Sequence, residues 1–540
     1  GINSHFISDK CNMPCKTLLR LFACAGLIAI ASSASCNDTG KSYMYNSVNW
    51  ECEHISDVFP TTKSNVNSIV CFDCNIAVIE ENTIPTFRGP VFNLSSSHVR
   101  KIKQNAFRTF TNNTRKFIFD KNELESVAPK VFSNFSASDE INLRDNRISK
   151  LEASTFEGTN VSTLDLSRNS LTDVGSVFNG LRVTTLNLSS NGIKELQQSA
   201  FDQVIFWSGG QWKYGTQQLD LSKNLLNKII PSTFKSPTKD NIIRMLHLQE
   251  NQLTVIENAT FLELNYLWQL HLTGNRISQL YADSFKGLTI LNTLSLAKNQ
   301  LTSLPIGIFG RIKSLVVLDL SQNLLTTLSA TSFTGLMNLN TLNISHNNLQ
   351  TIEDSHLVAL GKIHTLDITN TRIHDINLQP ILDHHYNLRT LVINDNLWTC
   401  SKLMEIYKLT NRRGSGFSYP SRHFDVPNLH GIACSRQTLD SYDDLSFDDF
   451  LNIISKDHVF EDVFDYSLHN ETDPGLNSKI GADIHSIKGM FVILTILCVV
   501  LFLHCVIKYI VAFLLNRNII RNSPFRVSFG SNHDRVELLN

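Results

Sequence analysis

Charge is scarce in this sequence. Only 18% of its 540 residues are charged, and the net charge is −1. A chain with so little charge of either sign has no electrostatic footprint for nucleic acid or a polyanionic substrate. The sequence also lacks HExxH, GxSxG, GxxxxGK and any carboxylate pair in a recognisable setting. We therefore expect no enzymatic activity, no metal and no cofactor.

A phrase of the form LxLxxNxL recurs along most of the chain. Clear copies begin at Leu164, Leu219, Leu270, Leu294, Leu318 and Leu342. Over five copies the asparagine returns every 24 residues, at Asn251, Asn275, Asn299, Asn323 and Asn347. This period and pattern are the signature of leucine-rich repeats, in which each turn needs neighbours to bury its core face.

The phrase also predicts where its residues lie. Side chains alternate along a strand, so the leucines point inward and the residue between them projects from a concave strand face. The asparagine follows the strand, where its amide can pair with buried backbone groups. Weaker copies place Thr371, Ser97 and Cys74 in the asparagine position, which gives about fourteen turns. We predict an α/β leucine-rich repeat solenoid, or horseshoe, over residues 76–396.

Most copies carry a phenylalanine on the far side of the turn. These residues are Phe107, Phe156, Phe178, Phe285, Phe309 and Phe333. Large apolar side chains at a fixed position of every turn predict a core spine on the convex side.

Two apolar segments bracket the repeats. Met13 opens a basic, then apolar, then small-residue stretch, which predicts a secretory signal peptide over 13–34. Residues 489–507 are apolar and long enough to predict one transmembrane helix. Basic residues follow this segment and acidic residues precede it. We predict a type I plasma-membrane protein with extracellular repeats and a cytoplasmic tail over 508–540.

Six of the eleven cysteines lie between the predicted signal peptide and membrane helix, at Cys36, Cys52, Cys71, Cys74, Cys400 and Cys434. An even number in an exported domain predicts disulfides. Their positions predict an N-terminal cap over 35–75 and a C-terminal cap over 397–434. We expect a Cys400–Cys434 bond, whereas the first four cysteines allow three connectivities. A metal-binding CxxC pair at Cys71 and Cys74 is the alternative for those two residues.

The region from Cys36 to Cys434 resembles the capped leucine-rich repeat ectodomains of insect single-pass transmembrane proteins, including Toll receptors. The likeness includes the C-terminal cap, with its WTC at Trp398–Cys400 and the GIAC that ends at Cys434. The resemblance implies a ligand-binding ectodomain. Residues 516–540 are fewer than a Toll-type signalling domain needs, so we expect the chain to act without one. DRVELL at 534–539 resembles an acidic dileucine sorting signal.

Nine N-x-S/T sequons predict glycosylation on the outer side of the membrane, at Asn37, Asn93, Asn112, Asn134, Asn160, Asn187, Asn258, Asn343 and Asn470. Three of them, Asn93, Asn187 and Asn343, stand between the two leucines of a phrase and should project from the strand face. The alternative is that LNLS arises from the repeat pattern itself.

Asn187 and Asn343 flank a window of strands. The matching outward position across this window holds Asp220, His247, His271, Ser295 and Asp319. Because neighbouring strands lie about 4.8 Å apart, we expect the two histidines to be adjacent. Three interpretations remain open: solvated strand surface, a ligand-contact patch sensitive to pH, and a metal site.

One turn of this window is widened by a Gly-rich insertion, VIFWSGGQWKYG from Val204. Its Trp207 and Trp212 are residue types that anchor interfaces, so we predict a protruding loop that contacts ligand. The alternative is that these aromatic side chains fold back on the convex face. A smaller insertion, KSPTKDN from Lys235, lies one turn further on.

Residues 435–488, before the predicted membrane helix, are rich in aspartate. Acidic charge favours a solvated juxtamembrane stalk. The interleaved apolar residues, from Phe447 to Phe464, allow instead an amphipathic helix that docks on the cap or on a partner.

These features predict a cell-surface receptor or co-receptor whose solenoid binds a protein or microbial ligand. We also expect a signalling co-receptor or a second copy of the chain as a partner. An innate-immune setting follows from the family resemblance alone. The alternative is an adhesion protein that binds another copy or a different partner on an apposed cell. A membrane-tethered decoy is a third option.

Overall fold

The computed structural model describes residues 37–38, 48–52, 66–71, 76–81, 83, 87–108, 110, 113–133, 139–175, 177–198, 200–206, 217–231, 233–234, 242–413, 416–417, 423–442 and 444–456. The predicted signal peptide, membrane helix and cytoplasmic tail lie outside these residues. So do Cys36, Cys74 and the sequons at Asn112, Asn134 and Asn470.

The described chain is built mainly from short strands. The first fourteen are β1 Asn37–Asp38, β2 Val48–Cys52, β3 Val66–Cys71, β4 Val78–Ile79, β5 Val91–Asn93, β6 Lys101–Ile102, β7 Lys116–Ile118, β8 Ser126–Val127, β9 Glu140–Asn142, β10 Lys150–Leu151, β11 Asn160–Asp165, β12 Arg182–Asn187, β13 Ile205–Phe206 and β14 Gln218–Asp220. The others are β15 Met245–His247, β16 Val255–Ile256, β17 Gln269–His271, β18 Gln279–Leu280, β19 Thr293–Ser295, β20 Val317–Asp319, β21 Thr341–Asn343, β22 Thr351–Ile352, β23 Thr365–Asp367, β24 Asp375–Ile376, β25 Thr390–Val392, β26 Gly416–Phe417, β27 Asn428–Leu429 and β28 Ile432–Ala433.

Helices are confined to the C-terminal part of the described chain. They are α1 Asp354–Leu357, α2 Leu378–His384, α3 Cys400–Arg413 and α4 Phe447–Lys456. None of the helices within the described residues combines the length and the apolar character required to cross a bilayer.

One long sheet organises the molecule. The strands that carry the LxL phrase pair in parallel with the next turn, and their central leucines align in register, as Leu246, Leu270 and Leu294 do. Each of these three leucines is fully buried, whereas the residues on either side of it are partly exposed. Alternation along the strand therefore separates the core from the strand face, as the sequence predicts. The solenoid has about 12 turns, and the predicted count of fourteen stays a prediction.

The recurring asparagine joins consecutive turns. Nδ2 of Asn299 donates to the carbonyl oxygens of Leu272, Leu296 and Ala297 at 3.0, 2.9 and 3.1 Å. Its Oδ1 accepts from the N–H of Ile277 in the preceding turn at 2.9 Å. The asparagine thus satisfies backbone groups that the strand leaves unpaired, and its role is structural.

Phenylalanines form the predicted spine on the other side of the turns. The rings of Phe285, Phe309 and Phe333 stack with centroid separations of 6.3 and 6.5 Å, and all three are fully buried. Offset stacking at this spacing adds to the burial of three large side chains and ties neighbouring turns together.

A disulfide and a tryptophan close the C-terminal end. Cys400 and Cys434 are bonded, with their Cα atoms 5.0 Å apart. Trp398 is fully buried, and its Nε1 donates to the carbonyl oxygen of Ile393 at 2.8 Å. The indole therefore covers the last turn without leaving its own N–H unpaired. At the other end, Cys52 is the last residue of β2 and Cys71 is the last residue of β3. Only the backbone of these two cysteines is described.

Helix α4 docks on this cap. Phe450 and Ile454 are buried against Leu397, Val426 and Ala433. The acidic segment thus takes the helical alternative over 447–456, with its apolar face against the cap. Residues 457–488 lie outside the described residues, so the stalk prediction stands for those residues alone.

Candidate ligand-binding site

Strand register brings the predicted contact residues into one row. Asp220 pairs with His247, His247 with His271, His271 with Ser295, and Ser295 with Asp319. All five side chains are partly exposed on the strand face. We call these five residues the central patch.

The two histidines of the central patch stack on each other. Their ring centroids are 4.9 Å apart and the ring planes differ by 2°. Nε2 of His271 lies 3.5 Å from Oε1 of Gln269, at the limit of a hydrogen bond. Parallel rings on adjacent strands cover part of each other's surface. The pair therefore forms a flat part of the strand face that is partly shielded from water.

Burial makes both imidazoles less basic. Desolvation lowers the pKa of His247, and the carboxylate of Asp220 opposes this effect. Desolvation also lowers the pKa of His271, with a further lowering from the charge of His247. The pair is therefore uncharged at neutral pH, and a ligand that reaches it meets two neutral rings.

No third metal ligand accompanies the histidine pair. Within the part of the chain that the structure describes, no group of three or more His, Cys, Asp or Glu is arranged to hold a metal ion. The three interpretations of the pair therefore stay predictions.

The two aspartates of the central patch also have a structural role. Oδ1 of Asp220 accepts from the N–H of Ser222 at 2.9 Å, and Oδ1 of Asp319 accepts from the N–H of Ser321 at 3.0 Å. Each bond closes a turn where the chain leaves the strand. These contacts involve one oxygen of each carboxylate.

Strand pairing locates the insertion that carries Trp207 and Trp212. Along β12, Arg182 and Val183 pair with β13, and Thr185–Asn187 pair with β14. Strands β13 and β14 are therefore two pieces of one sheet position, and they are joined by residues 207–216, which lie outside the described residues. Since β14 pairs directly with β15, the root of the insertion is one strand away from His247.

Residues 207–216 of the first insertion and 235–241 of the second lie outside the described residues. Trp207 and Trp212 fall in residues 207–216, so their contact with ligand stays a prediction. The second insertion rejoins the described chain at Ile242, just before β15. Both insertions thus return to the sheet at neighbouring strands of the central patch.

The three sequons on the strand face share one geometry. Oδ1 of Asn187 accepts from the N–H and the hydroxyl of Ser189 at 3.0 and 2.8 Å. Asn343 makes the same bonds to Ser345 at 3.0 and 2.7 Å, and Asn93 makes them within its own sequon. These bonds use the amide oxygen, whereas a glycan is attached to the nitrogen. The asparagine is thus useful to the repeat with or without a glycan.

Other sequons differ from this arrangement. Asn258 is exposed and accepts from the N–H of Asp283 at 3.1 Å. Asn160 begins β11, and its Oδ1 is buried without a hydrogen-bond partner among the described residues. Only the backbone of Asn37 is described.

Sequence reasoning missed one surface residue beside the central patch. Trp268 immediately precedes β17, and 42% of its surface is exposed. Its carbonyl oxygen accepts from the N–H groups of Asn292 and Thr293 at 2.9 and 3.1 Å, which holds its backbone in place. The available signal was an aromatic residue at a position that is polar in most other turns.

The repeats match a known family profile. Residues 139–193, 215–277, 241–301, 269–325, 289–349 and 313–373 match the profile of the leucine rich repeat. These turns are leucine-rich repeats. No curated protein matches the sequence as a whole.

Solved structures show the same architecture. A leucine-rich repeat protein of Leptospira interrogans superposes with a TM-score of 0.51 at 21% identity, covering 66% of this chain and 84% of that one. Toll from Drosophila, in its complex with Spatzle, superposes with a TM-score of 0.53 at 16% identity. That likeness covers 72% of this chain and 54% of Toll, so the present chain spans about half the length of the Toll structure. At these identities the likeness concerns the fold.

Proposed function

We propose that this chain is a cell-surface receptor or co-receptor that binds a protein or microbial ligand on its strand face, in innate immunity. The observation that carries the proposal is the central patch. It joins two stacked, uncharged imidazoles to two carboxylates on a rigid sheet, beside the roots of two insertions. Binding residues are commonly presented in this way, by loops and strands that a rigid scaffold positions.

The disulfide of the C-terminal cap supports the extracellular location that this proposal requires. The Cys400–Cys434 disulfide is of the kind that persists in oxidising compartments. It agrees with the predicted signal peptide, the sequons and the membrane helix at 489–507. Toll, which has the same fold, is bound to Spatzle in its structure, and we extend ligand binding to the present chain by analogy of fold.

Glycans at Asn187 and Asn343 would frame the binding window. Strands β12 and β21, which carry these asparagines, are six strand steps apart in the sheet. At about 4.8 Å per step the window is about 29 Å wide, which admits one small protein domain or an oligomeric ligand.

Two measurements on cells test the proposal. Non-adherent cells that display the full-length protein are mixed with labelled cells that display it or lack it. We expect no clustering, with surface display verified by antibody. Clustering restricted to displaying cells would establish homophilic adhesion and overturn the receptor assignment.

The second measurement tests the site. Labelled, killed bacteria and fungi are added to cells that display the wild-type protein or the His247→Ala, His271→Ala double variant. We expect wild-type cells to retain at least one kind of microbe and the double variant to lose it. Equal retention by both would exclude the central patch as the contact site.

A further inference from the structure

The strand face is almost free of charge. From β11 to β25, the two positions that flank the central buried leucine of each LxL strand hold no Lys, Arg or Glu. The exposed Arg182 stands at the start of β12, outside the strands from β14 to β20. The acidic residues there are Asp165, Asp220, Asp319 and Asp367. An anionic ligand would meet carboxylates and no cation on this face.

The margins of the face exclude a strongly basic ligand. Lys223 and Lys298 stand in the turns where β14 and β19 leave the sheet, and Arg244 immediately precedes β15. The ammonium group of Lys223 lies 3.6 Å from a carboxylate oxygen of Glu250, and both side chains stay more than half exposed, so Lys223 still presents its positive charge at the margin. Carboxylates on the face and cations at its margins together favour an uncharged ligand.

The face also lacks the side chains that anchor protein partners. Its partly exposed apolar members from β11 to β25 are Ile205, Met245, Val317 and Val392, which stand on four separate strands. Protein interfaces usually depend on clustered Trp, Tyr or Arg residues and on large desolvated apolar side chains. Of the two ligand classes in the proposed function, the described strand positions therefore favour a microbial ligand that is bound mainly through hydrogen bonds.

Hydrogen-bonding groups of both kinds cover the window instead. Gln218, Gln269, Thr293 and Ser295 each combine a donor and an acceptor, and all are partly exposed. The hydroxyl of Thr293 donates to Oδ1 of Asn292 at 3.2 Å and that of Ser295 pairs with the hydroxyl of Thr273 at 2.6 Å, so a ligand would share these groups with the chain. Sugar hydroxyls likewise both donate and accept. An uncharged, hydroxyl-rich ligand is therefore the class that these side chains can satisfy.

Trp268 supplies the apolar part of such a site. It stands three residues before His271 on the same stretch of chain, with 42% of its surface exposed. A pyranose ring has a face of C–H groups that packs against the face of an aromatic ring. A partly exposed indole whose backbone is held by the next turn, near a row of amides and hydroxyls, offers both kinds of contact.

We infer that the strand face from β14 to β20 binds an uncharged oligosaccharide that lies across the strands, with one sugar ring against Trp268. The inference rests on the proposed function, because it names the ligand class of the same site. Amides and hydroxyls of the strands hydrogen-bond the sugar hydroxyls, and the neutral histidine pair forms part of the floor.

The experiment uses cells that display the full-length protein. Fluorescent, uncharged probes are β-1,3-glucan, dextran and oligomers of β-1,4-linked N-acetylglucosamine, and the anionic comparators are heparin and polygalacturonate. We expect saturable binding of at least one uncharged probe, displaced by the same unlabelled sugar, and no binding of the anionic probes.

Three variants locate the site. Trp268→Ala should weaken binding about tenfold, because it removes the stacking surface. Thr293→Val keeps the shape and removes one hydroxyl, which should weaken binding about three- to tenfold. Thr163→Val is the matched control, since it makes the same change in the same position of β11, outside the window. It should leave binding unchanged.

Several outcomes would overturn the inference. These are display of the protein without binding of any uncharged probe, binding of anionic probes alone, and equal loss in the Thr163 and Thr293 variants. If no sugar binds but microbes are still retained through the histidine pair, the sugar assignment fails and the receptor proposal stands. Homophilic clustering would overturn the receptor proposal separately, whatever the sugars do.

Discussion

Replacing one of the recurring asparagines by aspartate tests how much the hydrogen bonds of its amide group contribute to joining consecutive turns. Asn299 is 6% exposed, and Asn299→Asp preserves its size and shape. The change converts the donating Nδ2, which lies 2.9 to 3.1 Å from three carbonyl oxygens, into an acceptor. No cavity is created, so any loss of stability comes from unpaired or repelling oxygen atoms.

The loss of folding stability in the Asn299→Asp variant depends on the protonation of the new carboxyl group. When protonated, it retains one donor of the original two, so the loss is about 1–3 kcal/mol, the cost of an unsatisfied buried group. Burial among carbonyl oxygens should raise its folded-state pKa by about 3 units. At about 1.4 kcal/mol per unit, ionisation of the unfolded chain adds about 4 kcal/mol at neutral pH.

The sign of the pH dependence follows from the raised pKa. At low pH both states of the variant are protonated, and the smaller loss applies. As pH rises past about 4, the pKa of an unperturbed aspartate, the unfolded chain ionises first and the free energy of unfolding falls. The fall ends at the folded-state pKa. The wild-type protein has no such component at this position.

Thermal unfolding of the purified protein between pH 3.5 and 7.5 measures this effect. Asn265→Asp is the control, because Asn265 is exposed and the substitution adds the same charge. We expect the Asn299 variant to unfold at a lower temperature than the control, with a gap that widens as pH rises. A gap that is absent or independent of pH would refute the assigned role of the amide.

Three further changes test other parts of the molecule. Gly287→Ala should lower the thermal unfolding temperature strongly, because the φ of Gly287 is +97° and an added Cβ would collide with the backbone oxygen of Leu262. Gly361→Ala is the control and should be near neutral, because its Cβ would meet nothing within 4 Å. Phe450→Ala should weaken the packing of α4 on the cap by about 3–5 kcal/mol. Limited proteolysis should then cleave α4 more readily than in the wild-type protein. The wild-type melting temperature should fall between pH 7.5 and 5.5 more than that of the His247→Gln, His271→Gln variant. The folded imidazoles have lowered pKa values, so the unfolded chain binds more protons below about pH 6.5.

Much of the site was predictable because the repeat is periodic. Equal spacing from the leucines put His247 and His271 at the same position of consecutive turns, and parallel register makes such positions neighbours. The same reasoning identified Asp220, Ser295 and Asp319 as members of one row. It did not predict that the rings stack within 2° of parallel, since ring orientation depends on the packing of surrounding side chains.

Other features could not be predicted from spacing. The insertion after Phe206 was visible as a lengthened repeat, but its exit between β13 and β14 depends on how β12 pairs along its length. Trp268 went unnoticed because an aromatic residue at one turn leaves no periodic trace. Its exposure is a property of the assembled surface.

The sequence by itself determined the solenoid, its buried leucines, its asparagine ladder and its phenylalanine spine. Each of these depends on contacts between a turn and its nearest neighbours, so a local pattern repeated along the chain is sufficient to specify them. Only the tertiary structure decided that Phe450 and Ile454 of the acidic segment cover the C-terminal cap. Those residues pack against Leu397 and Ala433. Composition favoured a solvated stalk there, whereas burial of an apolar helix face on the cap depends on contacts between segments that share no period.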